Sequence, residues 1–569
     1  WLAMSTNKSL NENEMEKFRK IVEDIEYLSS LEEINISDVD NVLSKLKSEE
    51  AKDYINYLLA GSKPETALRE AFFAGGSVLG KYLYGFASPE VVENGFVDYL
   101  IKDQVGHVIV LELKSLFTSI KDRDKSGRKI VKKLKQQHLN WETHKEQIKN
   151  YINKGEYVIL TNLKEWIFFS RSLNPRDPKP FYTTTLSDLI KDYEVIGNLK
   201  DYCDRKEFQA RRYELDKEFL ESLKEWVKKL SEVEFTVDER RKLELIIGLI
   251  NKFIFIQTLD DYGVIEFKWI QKNWEHYNSA WISKGKLKVL EEFLKYVDNW
   301  FYEYYDTELF RENFLQYVKK DPKNIDILYR NLQMVLGLTY LQVPIEFKGI
   351  MQYNFRLIDE DVLGKAYETF LAEQRKEEGA FYTPKYITEY VVENTLGKLC
   401  DEILKEAEEA VKTEDLNKLE ELVERLVSIK VLDPACGSGS FLIKALRRLY
   451  HTYMKLAELM KGLKSKYDRW TSLLRPSEVE VKVERIKKLL EALTGDGKRD
   501  LISKVLVRHI HGNDLDRRAL EVAKVNLWLE ALKLAPQEFR FDKLPSDTNH
   551  ILPDLEMNLC NGDSLCWIT

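Results

Sequence analysis

The chain has 569 residues, a length that allows about three or four domains of ordinary size. Its content of 44% hydrophobic and 32% charged residues indicates a soluble globular protein. The formal net charge of -8 gives no overall attraction to nucleic acid, so any such contact must come from local basic surfaces. The five cysteines lack CxxC spacing and suggest neither a zinc site nor a disulfide framework. With no apolar run long enough to cross a membrane, these features fit a cytoplasmic location.

The first region, residues 1–195, shows a mixed α/β pattern. Apolar residues at helical spacing predict three helices, over Asn13–Leu31, Val39–Leu59 and Glu65–Phe73. Apolar runs then predict two strands joined by a short polar turn, Gly95–Ile101 and His107–Lys114. A closing hairpin is expected within residues 156–170.

Both predicted strands contain acidic residues in apolar surroundings. An unpaired carboxylate is costly to bury, so Asp98 and Glu112 are expected there mainly if a cation compensates them. Carboxylate oxygens are ligands that suit Mg²⁺. Lys114 lies two residues after Glu112 and so on the same face of the strand. There its ammonium group could orient an attacking water or balance the charge of a phosphorane-like transition state.

This arrangement resembles the PD-(D/E)xK nuclease core, although Val97 lies where that family has proline. Gln147 and Tyr151, on a predicted helix, resemble the QxxxY element found in nuclease domains of Type I restriction subunits. The resemblance implies one catalytic set, in which the first two residues hold Mg²⁺ and the last is an accessory acid: Asp98, Glu112, Lys114, Gln147, Tyr151 and Glu70.

Between these elements lies a strongly basic stretch, Lys121–Lys135. A charge run of this kind is usually a solvated loop or helix face. Its position directly after the strand with the metal ligands equally favours a surface that grips phosphate groups without reading bases. The sequence leaves both interpretations open.

The middle region, residues 196–350, is predicted to be a helical connector domain. Apolar residues recur at helical spacing over Asp216–Leu230 and Asp238–Leu259. Tryptophans and tyrosines follow in helical segments, where aromatic clusters are usually core and not base-stacking surfaces. We assign no chemistry to this domain.

The third region, residues 351–569, contains the most specific motif of the chain, Leu432–Phe441. The apolar run Val427–Leu432 predicts a buried strand, the glycines predict a tight turn, and Phe441–Tyr450 predicts a helix. Strand, glycine turn and helix form the corner at which a doubly wound α/β sheet approaches a nucleotide-like ligand. The carboxylate of Asp433 suits a ligand with a positively charged amino-acid end.

The motif resembles motif I of the gamma-class methyltransferases that modify adenine N6 in DNA with S-adenosylmethionine. Gly379–Pro384 resembles motif X of that family, Ile510–Asp516 resembles motif II, and Cys560–Leu565 resembles motif III. The resemblance implies a Rossmann-like fold and one set of cofactor-binding residues: Thr383, Asp433, Ala435, Gly437, Gly439, Asp514, Leu515 and Asp563.

Within that resemblance, Asp514 would accept the ribose hydroxyls, Leu515 would contact the adenine ring and Asp563 would accept the adenine amino group. Residues 449–506, between motifs I and II, are predicted to form a helical insertion. The Asn/Asp-Pro-Pro-Tyr/Phe tetrapeptide that holds the target adenine in this family does not occur in the sequence. The fold is therefore expected to be incomplete and to need a further segment or a second chain.

Together the two resemblances predict a restriction-modification enzyme of the Type IIG kind, which cleaves double-stranded DNA with Mg²⁺ and methylates adenine N6 with S-adenosylmethionine. Its parts would be a PD-(D/E)xK nuclease domain (residues 1–195), a helical connector (196–350) and an incomplete Rossmann-like methyltransferase fold (351–569). Two alternatives stay open. One is a non-catalytic DNA- or cofactor-binding subunit that a partner chain completes, and the other is a modification-only methyltransferase with a degenerate nuclease domain.

Overall fold

The computed structural model describes residues 11–74, 77–84, 99–102, 107–123, 126–152, 154–173, 177–196, 199–305, 310–339, 347–358, 383, 385–471, 477–540, 542 and 552–565. The chain divides into two compact units. The first comprises Trp1–Lys217, Gln342–Lys348 and Gln352–Leu357. The second comprises Glu218–Leu341, Gly349–Met351 and Ile358–Thr569.

The first unit combines helices with two sheets. The helices are α1 Glu12–Ser29, α2 Val39–Lys45, α3 Glu49–Leu59, α4 Pro64–Phe72, α5 Val78–Tyr84, α6 Lys145–Ile152 and α7 Leu186–Ile196, and α8 Leu199–Ser231 begins in this unit. The first predicted helix is confirmed as α1, because Asn11 and Glu14 exchange hydrogen bonds that cap its N-terminus.

The single helix predicted over Val39–Leu59 is wrong, because two helices occupy this range. The buried carboxylate of Asp24 accepts hydrogen bonds from the N–H groups of Lys47 at 2.9 Å and Ser48 at 2.6 Å. These bonds hold extended backbone after α2, and Ser48 caps the N-terminus of α3. A long-range contact has therefore interrupted a helical pattern.

The strands of this unit are β1 Glu33–Asn35, β2 Tyr99–Lys102, β3 Val108–Leu113, β4 Phe117–Arg123, β5 Lys129–Gln136, β6 Tyr157–Thr161, β7 Glu165–Ser170 and β8 Tyr182–Thr185. The larger sheet has the order β2-β3-β6-β7-β8, in which β3 and β6 are parallel and the other pairs are antiparallel. The predicted strand pair is confirmed in its described part, with Tyr99 opposite Leu111, while residues 95–98 and 103–106 lie outside the described residues. The predicted closing hairpin is β6–β7. β3 and β6 are buried along their whole length, as central strands covered on both faces should be.

The smaller sheet has the order β1-β5-β4 and contains the basic stretch. The interpretation of this stretch as a loop or helix face, one of the two left open, is wrong for the described residues, which form an antiparallel hairpin from Phe117 opposite Gln136 to Arg123 opposite Lys129. The β-branched residues Ile130 and Val131 favour a strand, a signal that the surrounding lysines concealed.

The second unit is mostly helical. Its helices are α9 Glu239–Asp261, α10 Trp269–Asn278, α11 Trp281–Lys284, α12 Lys286–Tyr305, α13 Pro322–Leu336, α14 Lys385–Val392, α15 Lys398–Thr413, α16 Leu416–Ser428, α17 Ser440–Thr471, α18 Ser477–Thr494, α19 Lys498–His509 and α20 Arg517–Leu534. Trp269 and Trp274 are buried among aromatic rings, as expected of core residues, whereas Trp281 is exposed. Of the helices that the structure describes, none is both long enough and apolar enough to cross a membrane.

A three-stranded parallel sheet completes the second unit, with β9 Val431–Asp433, β10 Ile510–Asp514 and β11 Leu559–Asn561 in the order β11-β10-β9. The strand predicted over Val427–Leu432 begins too early, and the prediction that it is buried is also wrong, because Leu432 on β9 is exposed. Helix α16 continues to Ser428, because Leu422, Val423 and Leu426 bury one helical face. The described part of residues 449–506 is mostly helical and contains the end of α17, α18 and the greater part of α19, whereas its assignment as an insertion stays a prediction.

Candidate functional sites

A cluster of hydrogen-bonded side chains lies at the end of β3 in the first unit. Glu112 is buried within the strand, and Lys114 follows the strand directly. The N–H of Lys114 donates to the carbonyl of Thr161 at 2.8 Å, which continues the pairing of β3 with β6. Its ammonium group donates to Glu112 Oε1 at 2.8 Å, and its side chain is 12% exposed. The two side chains therefore share one face of the strand, as the spacing predicts.

Helix α6 adds an amide and a phenol to this cluster. Gln147 Nε2 donates to Glu112 Oε1 at 2.6 Å and to the hydroxyl of Tyr151 at 2.8 Å. Lys114 Nζ donates to Gln147 Oε1 at 3.4 Å. Gln147 and Tyr151 are four residues apart, so one face of the helix presents both. The structure thus brings together four of the residues that the sequence selected.

The acidic residue that α4 contributes is Glu65 and not Glu70. Glu65 Oε1 lies 3.4 Å from Lys114 Nζ, whereas Glu70 Oε1 lies 4.0 Å from the guanidinium of Arg69. At 100° per residue, Glu65 borders the buried face of α4 that Leu68 defines, and Glu70 points away from that face. The helical phase was the signal that could have identified Glu65 from the sequence.

The charges of the cluster favour a protonated lysine. Burial alone would lower the pKa of Lys114, but the hydrogen bond that Lys114 donates to Glu112 and the charges of Glu112 and Glu65 outweigh it, so the pKa lies above the usual lysine value. Burial lowers the pKa of His144, and the charge of Lys114 lowers it further against the opposing effect of Glu65. The cluster therefore combines a charged ammonium group with a neutral imidazole at neutral pH.

A metal ion at this site would need oxygen ligands. Asp98, the first predicted ligand, lies outside the described residues. Within the described ranges, no group of three or more His, Cys, Asp or Glu side chains is arranged to hold a metal ion. Glu112 and Glu65, both within 3.4 Å of Lys114 Nζ, supply two carboxylates of the kind that Mg²⁺ binds. The donor chemistry fits Mg²⁺, with Asp98 as the expected third carboxylate.

A second cluster lies where the parallel strands of the second unit end. β9 ends at Asp433 and β10 ends at Asp514, and the pairing of Gly512 with Asp433 brings both carboxylates to the same edge of the sheet. β11 pairs with β10 up to Asn561, and Asp563 follows two residues later. Ligands of doubly wound sheets bind at this edge, beyond the carboxyl ends of the strands.

Main-chain hydrogen bonds hold the glycine turn after β9. The N–H of Ala435 donates to Asp433 Oδ1 at 3.1 Å, and the N–H of Gly437 donates to Asp514 Oδ2 at 2.9 Å. These bonds tie the turn to the ends of two neighbouring strands. Its shape therefore depends on backbone groups and on two carboxylates.

Gly439 closes this turn directly before α17. Its φ is +89°, and a Cβ built on it would lie 3.2 Å from the Cβ of Ala523 on α20. Asn526, on the same helix, donates to the carbonyl of Ser438 at 2.9 Å. Helix α20 therefore packs closely against the turn, which glycine alone permits without strain.

Asp514 has contacts that the sequence did not predict. Its carboxylate accepts the N–H groups of Gly437 and, at 2.8 Å, of Asp516, so it links two turns. Leu515 beside it is 75% exposed, and Leu565 is 78% exposed. Exposed leucines next to strand-end carboxylates suit a ligand that has both a flat ring and hydroxyl groups.

Two asparagines that the sequence analysis missed fix the same edge. Asn513 Nδ2 donates to the carbonyl of Gly562 at 2.7 Å and to Ser564 Oγ at 2.6 Å. Asn561 Nδ2 donates to the carbonyls of Asp514 at 2.9 Å and Leu515 at 3.0 Å. Short amide side chains at strand ends commonly bond to nearby backbone, which is the signal they offered.

Burial and neighbouring carboxylates raise the pKa values of Asp433 and Cys436 at this edge. Burial raises the pKa of Asp433, the charge of Asp514 raises it further, and the N–H of Ala435 opposes the change. Burial and the same two carboxylates raise the pKa of the Cys436 thiol far above its ordinary value, which keeps it neutral. A positively charged ligand group would relieve the repulsion at Asp433.

Thr383 is partly exposed and lies two residues before α14. The other residues of the predicted motif X, Gly379–Tyr382 and Pro384, lie outside the described residues. The contact of Thr383 with a cofactor therefore stays a prediction.

Comparison with known proteins matches residues 406–564 to the family model described as the DNA-methyltransferase domain of MmeI. A protein of Methanocaldococcus jannaschii with the provisional name type II restriction enzyme and methyltransferase is 24% identical over 429 residues, which cover 67% of this chain and 32% of that protein. A type II restriction enzyme and methyltransferase of Escherichia coli is 24% identical over 401 residues, which cover 67% of this chain and 33% of that protein. The chain spans about a third of the length of these relatives.

A solved structure of the Type IIL restriction-modification enzyme MmeI in complex with DNA aligns with 61% of this chain and 40% of that one, at 18% identity and a TM-score of 0.35. That similarity is too low to establish a common fold. On the family model and the two relatives, the resemblance of this chain to restriction-modification enzymes of the Type IIG kind is confirmed, and residues 406–564 are similar to the DNA-methyltransferase domain of MmeI.

Proposed function

We propose that this chain is the part of a restriction-modification enzyme that contains a Mg²⁺-dependent DNA endonuclease domain, a helical connector and the beginning of an S-adenosylmethionine-dependent adenine-N6 methyltransferase domain. One observation supports the nuclease most directly. Glu112 Oε1 accepts hydrogen bonds from both Lys114 and Gln147 at the end of a buried strand. This cluster joins a carboxylate, a cation and an amide in the order that the PD-(D/E)xK resemblance predicts.

The role of Lys114 follows from its charge. Because its pKa lies above the usual value, it acts as a cation and not as a general base. A fixed ammonium group in a partly buried site stabilises the negative charge that develops on a phosphodiester under attack by water. Asp98, Glu112 and Glu65 would hold Mg²⁺, which when bound polarises the phosphate and lowers the pKa of a coordinated water.

Gln147 is a positioning residue that acts through Glu112. Its amide nitrogen bonds to both the carboxylate and the hydroxyl of Tyr151, which fixes the rotation of the Glu112 side chain. A ligand carboxylate fixed in this way does not have to be ordered when the metal binds.

The edge of the parallel sheet fits S-adenosylmethionine. Asp433 would pair with the positively charged amino-acid end, near Thr383, and Asp563 would accept the adenine amino group. Each carboxylate oxygen has two lone pairs, so Asp514 can accept ribose hydroxyls and keep its bond from Gly437. Leu515 would cover the adenine ring. When bound, the cofactor supplies the methyl group that the complete enzyme would transfer to N6 of an adenine extruded from double-stranded DNA.

A second candidate, a methyltransferase half completed by another chain or segment, is favoured by the position of β9. Among the strands that the structure describes, β9 forms one of the two edges of the parallel sheet, and Leu432 on it is exposed. An exposed apolar edge strand is a template for pairing with a further strand. Completion of the sheet at β9 would supply the residues that hold the target adenine.

Cleavage of unmodified plasmid DNA by the full chain with Mg²⁺ tests the nuclease proposal. We expect Glu112→Gln and Lys114→Ala each to slow cleavage by about 10²–10³-fold, the effect of removing a charged group that acts on the transition state. The matched control is Lys149→Ala on α6, whose ammonium group pairs with Glu146. It should cleave like the parent chain.

Two results would decide against this assignment. Cleavage at the parent rate by both site variants would show that the nuclease lies elsewhere. A parent chain that neither cleaves DNA nor binds Mg²⁺ in calorimetry would support the modification-only alternative with a degenerate nuclease domain.

A further inference from the structure

The β4–β5 hairpin projects from the first unit as an exposed basic ribbon. From Ile120 onward every residue of β4 is exposed, as are the first two residues of β5. Between residues 117 and 136 the sequence has eight basic and two acidic side chains, a local charge of +6 in a chain whose net charge is -8. The ribbon is therefore a local basic surface of the kind that contact with nucleic acid requires in this acidic chain.

The base of the ribbon is fixed to the body of the unit. The hydroxyl of buried Tyr54, on α3, accepts the N–H of Phe117 at 2.9 Å and lies 2.9 Å from Ser115 Oγ. Ser119 Oγ donates to the carbonyl of Leu58 at 2.9 Å. On the other strand, Gln136 Nε2 donates to the carbonyl of Ser29 at 2.9 Å. Because hydrogen bonds hold the ribbon at both strands, its direction is fixed before a ligand binds. Binding therefore costs less conformational entropy than it would for a mobile segment.

Both ends of the ribbon lead to the cluster around Lys114. β4 begins three residues after Lys114, and β5 is followed by a short 3-10 helix, Trp141–His144, and by α6 with Gln147. Ser115, the neighbour of Lys114, contacts the same tyrosine that holds Phe117. A ligand bound along the ribbon is thus held in a defined position relative to Lys114.

We propose that the ribbon binds the phosphate groups of double-stranded DNA and directs the duplex to the Lys114 cluster, an inference that rests on the proposed nuclease function. Arg123 lies directly opposite Lys129 near the tip, and Arg128 precedes Lys129 in the turn. Cations at such positions bind phosphates and fix the register of a duplex without reading its sequence. A two-stranded ribbon also has the width that the major groove admits.

The test is the salt dependence of binding to a fluorescent DNA duplex of mixed sequence, measured with the full chain and without divalent metal from about 50 to about 200 mM NaCl. The variant combines Arg123→Gln, Arg128→Gln and Lys129→Gln. Affinity falls as salt rises, so the slope of log affinity against log salt is negative. Each lost phosphate contact reduces the magnitude of this slope by about 0.9, so we expect the variant to have a magnitude smaller by about 2 to 3. The matched control combines Lys20→Gln, Lys47→Gln and Lys191→Gln, which removes three lysines from surface ion pairs, and should leave the slope unchanged.

The outcomes of this experiment distinguish DNA binding by the ribbon from DNA cleavage by the proposed nuclease. An unchanged slope in the ribbon variant, or no binding of duplex by the parent chain at about 50 mM NaCl, overturns the inference. The same holds if the variant loses binding to phosphatidylserine vesicles but keeps its slope with DNA, which would assign the ribbon to an anionic membrane. A slope reduced in the variant of a chain that neither cleaves DNA nor binds Mg²⁺ supports the ribbon and contradicts the proposed nuclease, whereas Glu112→Gln should slow cleavage by about 10²–10³-fold with the slope preserved.

Discussion

The two candidate sites use different chemistry to hold their shape. Around Lys114, side chains bond to side chains, and Glu112 Oε1 accepts both the ammonium group and the amide of Gln147. At the glycine turn, carboxylates bond to main-chain N–H groups, from Asp433 to Ala435 and from Asp514 to Gly437. The first site therefore depends on charge balance and the second on backbone conformation. Changes of charge should damage the first, and changes of backbone or of its supports should damage the second.

The largest expected difference between the two regions is their response to acid, which should destabilise the second unit through His509 and leave the charge of Lys114 unchanged. Burial lowers the pKa of His509 to about 4, although its bond to the carbonyl of Ile429, just before β9, opposes the change. Its unfolded pKa is about 6.5, so this group's contribution to stability is complete above pH 6.5 and is lost as the pH falls towards 4, by about 3 kcal/mol in total. The charge of Lys114 does not change in this range, because its pKa is raised.

Urea unfolding of the second unit at pH values between 7 and about 4 measures this effect. Over this pH range the free energy of unfolding of His509→Gln should fall by about 3 kcal/mol less than that of the parent chain. His276→Gln, at an exposed position of α10, is the control and should follow the parent. Identical pH dependence in the parent and His509→Gln would contradict the assignment.

An added methyl group should damage only the second site. Gly439→Ala places a side chain at φ +89° and against Ala523, so we expect a loss of about 2 kcal/mol in the free energy of unfolding and weaker binding of S-adenosylmethionine. Gly462→Ala, inside α17 with open space around its Cβ position, should instead stabilise the chain by up to about 1 kcal/mol. Thermal unfolding and calorimetric titration measure both. Cofactor binding by Gly439→Ala as tight as that of the parent would show that the turn is not the binding element.

Loss of the amide should weaken the first site more mildly. In Gln147→Ala, Glu112 keeps its bond to Lys114 but loses its orientation, so we expect about a tenfold lower kcat for DNA cleavage and about 1 kcal/mol less stability. The concentration of Mg²⁺ needed for half-maximal cleavage should rise, which a purely structural role would not cause. An unchanged Mg²⁺ requirement would remove Gln147 from the positioning role.

The parts of the sites that could be predicted from the sequence are those that depend on the side-chain periodicity of a single strand or helix, or on the backbone conformation of a single turn. A separation of two residues on a strand places Glu112 and Lys114 on one face, and a separation of four on a helix does the same for Gln147 and Tyr151. The glycine turn was predictable because Gly439 adopts a conformation that other residues avoid. These features need no knowledge of distant contacts.

The remaining features depend on tertiary contacts or on competing signals. Glu65 joins the cluster only because α4 packs beside β3, and no local pattern distinguishes it from Glu70 except the phase of the helix. Buried Asp24 divided a predicted helix through bonds to residues more than twenty positions away. In the ribbon, lysines concealed a strand pattern that pairing with β1 and β4 stabilises.

The most direct test of the central claim compares two matched substitutions on one helix, Glu65→Gln and Glu70→Gln, by the rate of Mg²⁺-dependent DNA cleavage. Both residues lie on α4 and both carboxylates are more than half exposed, but only Glu65 contacts Lys114. We expect at least about a tenfold loss for Glu65→Gln and the parent rate for Glu70→Gln. A loss in Glu70→Gln with the parent rate in Glu65→Gln would contradict the assignment of the nuclease site to the Lys114 cluster.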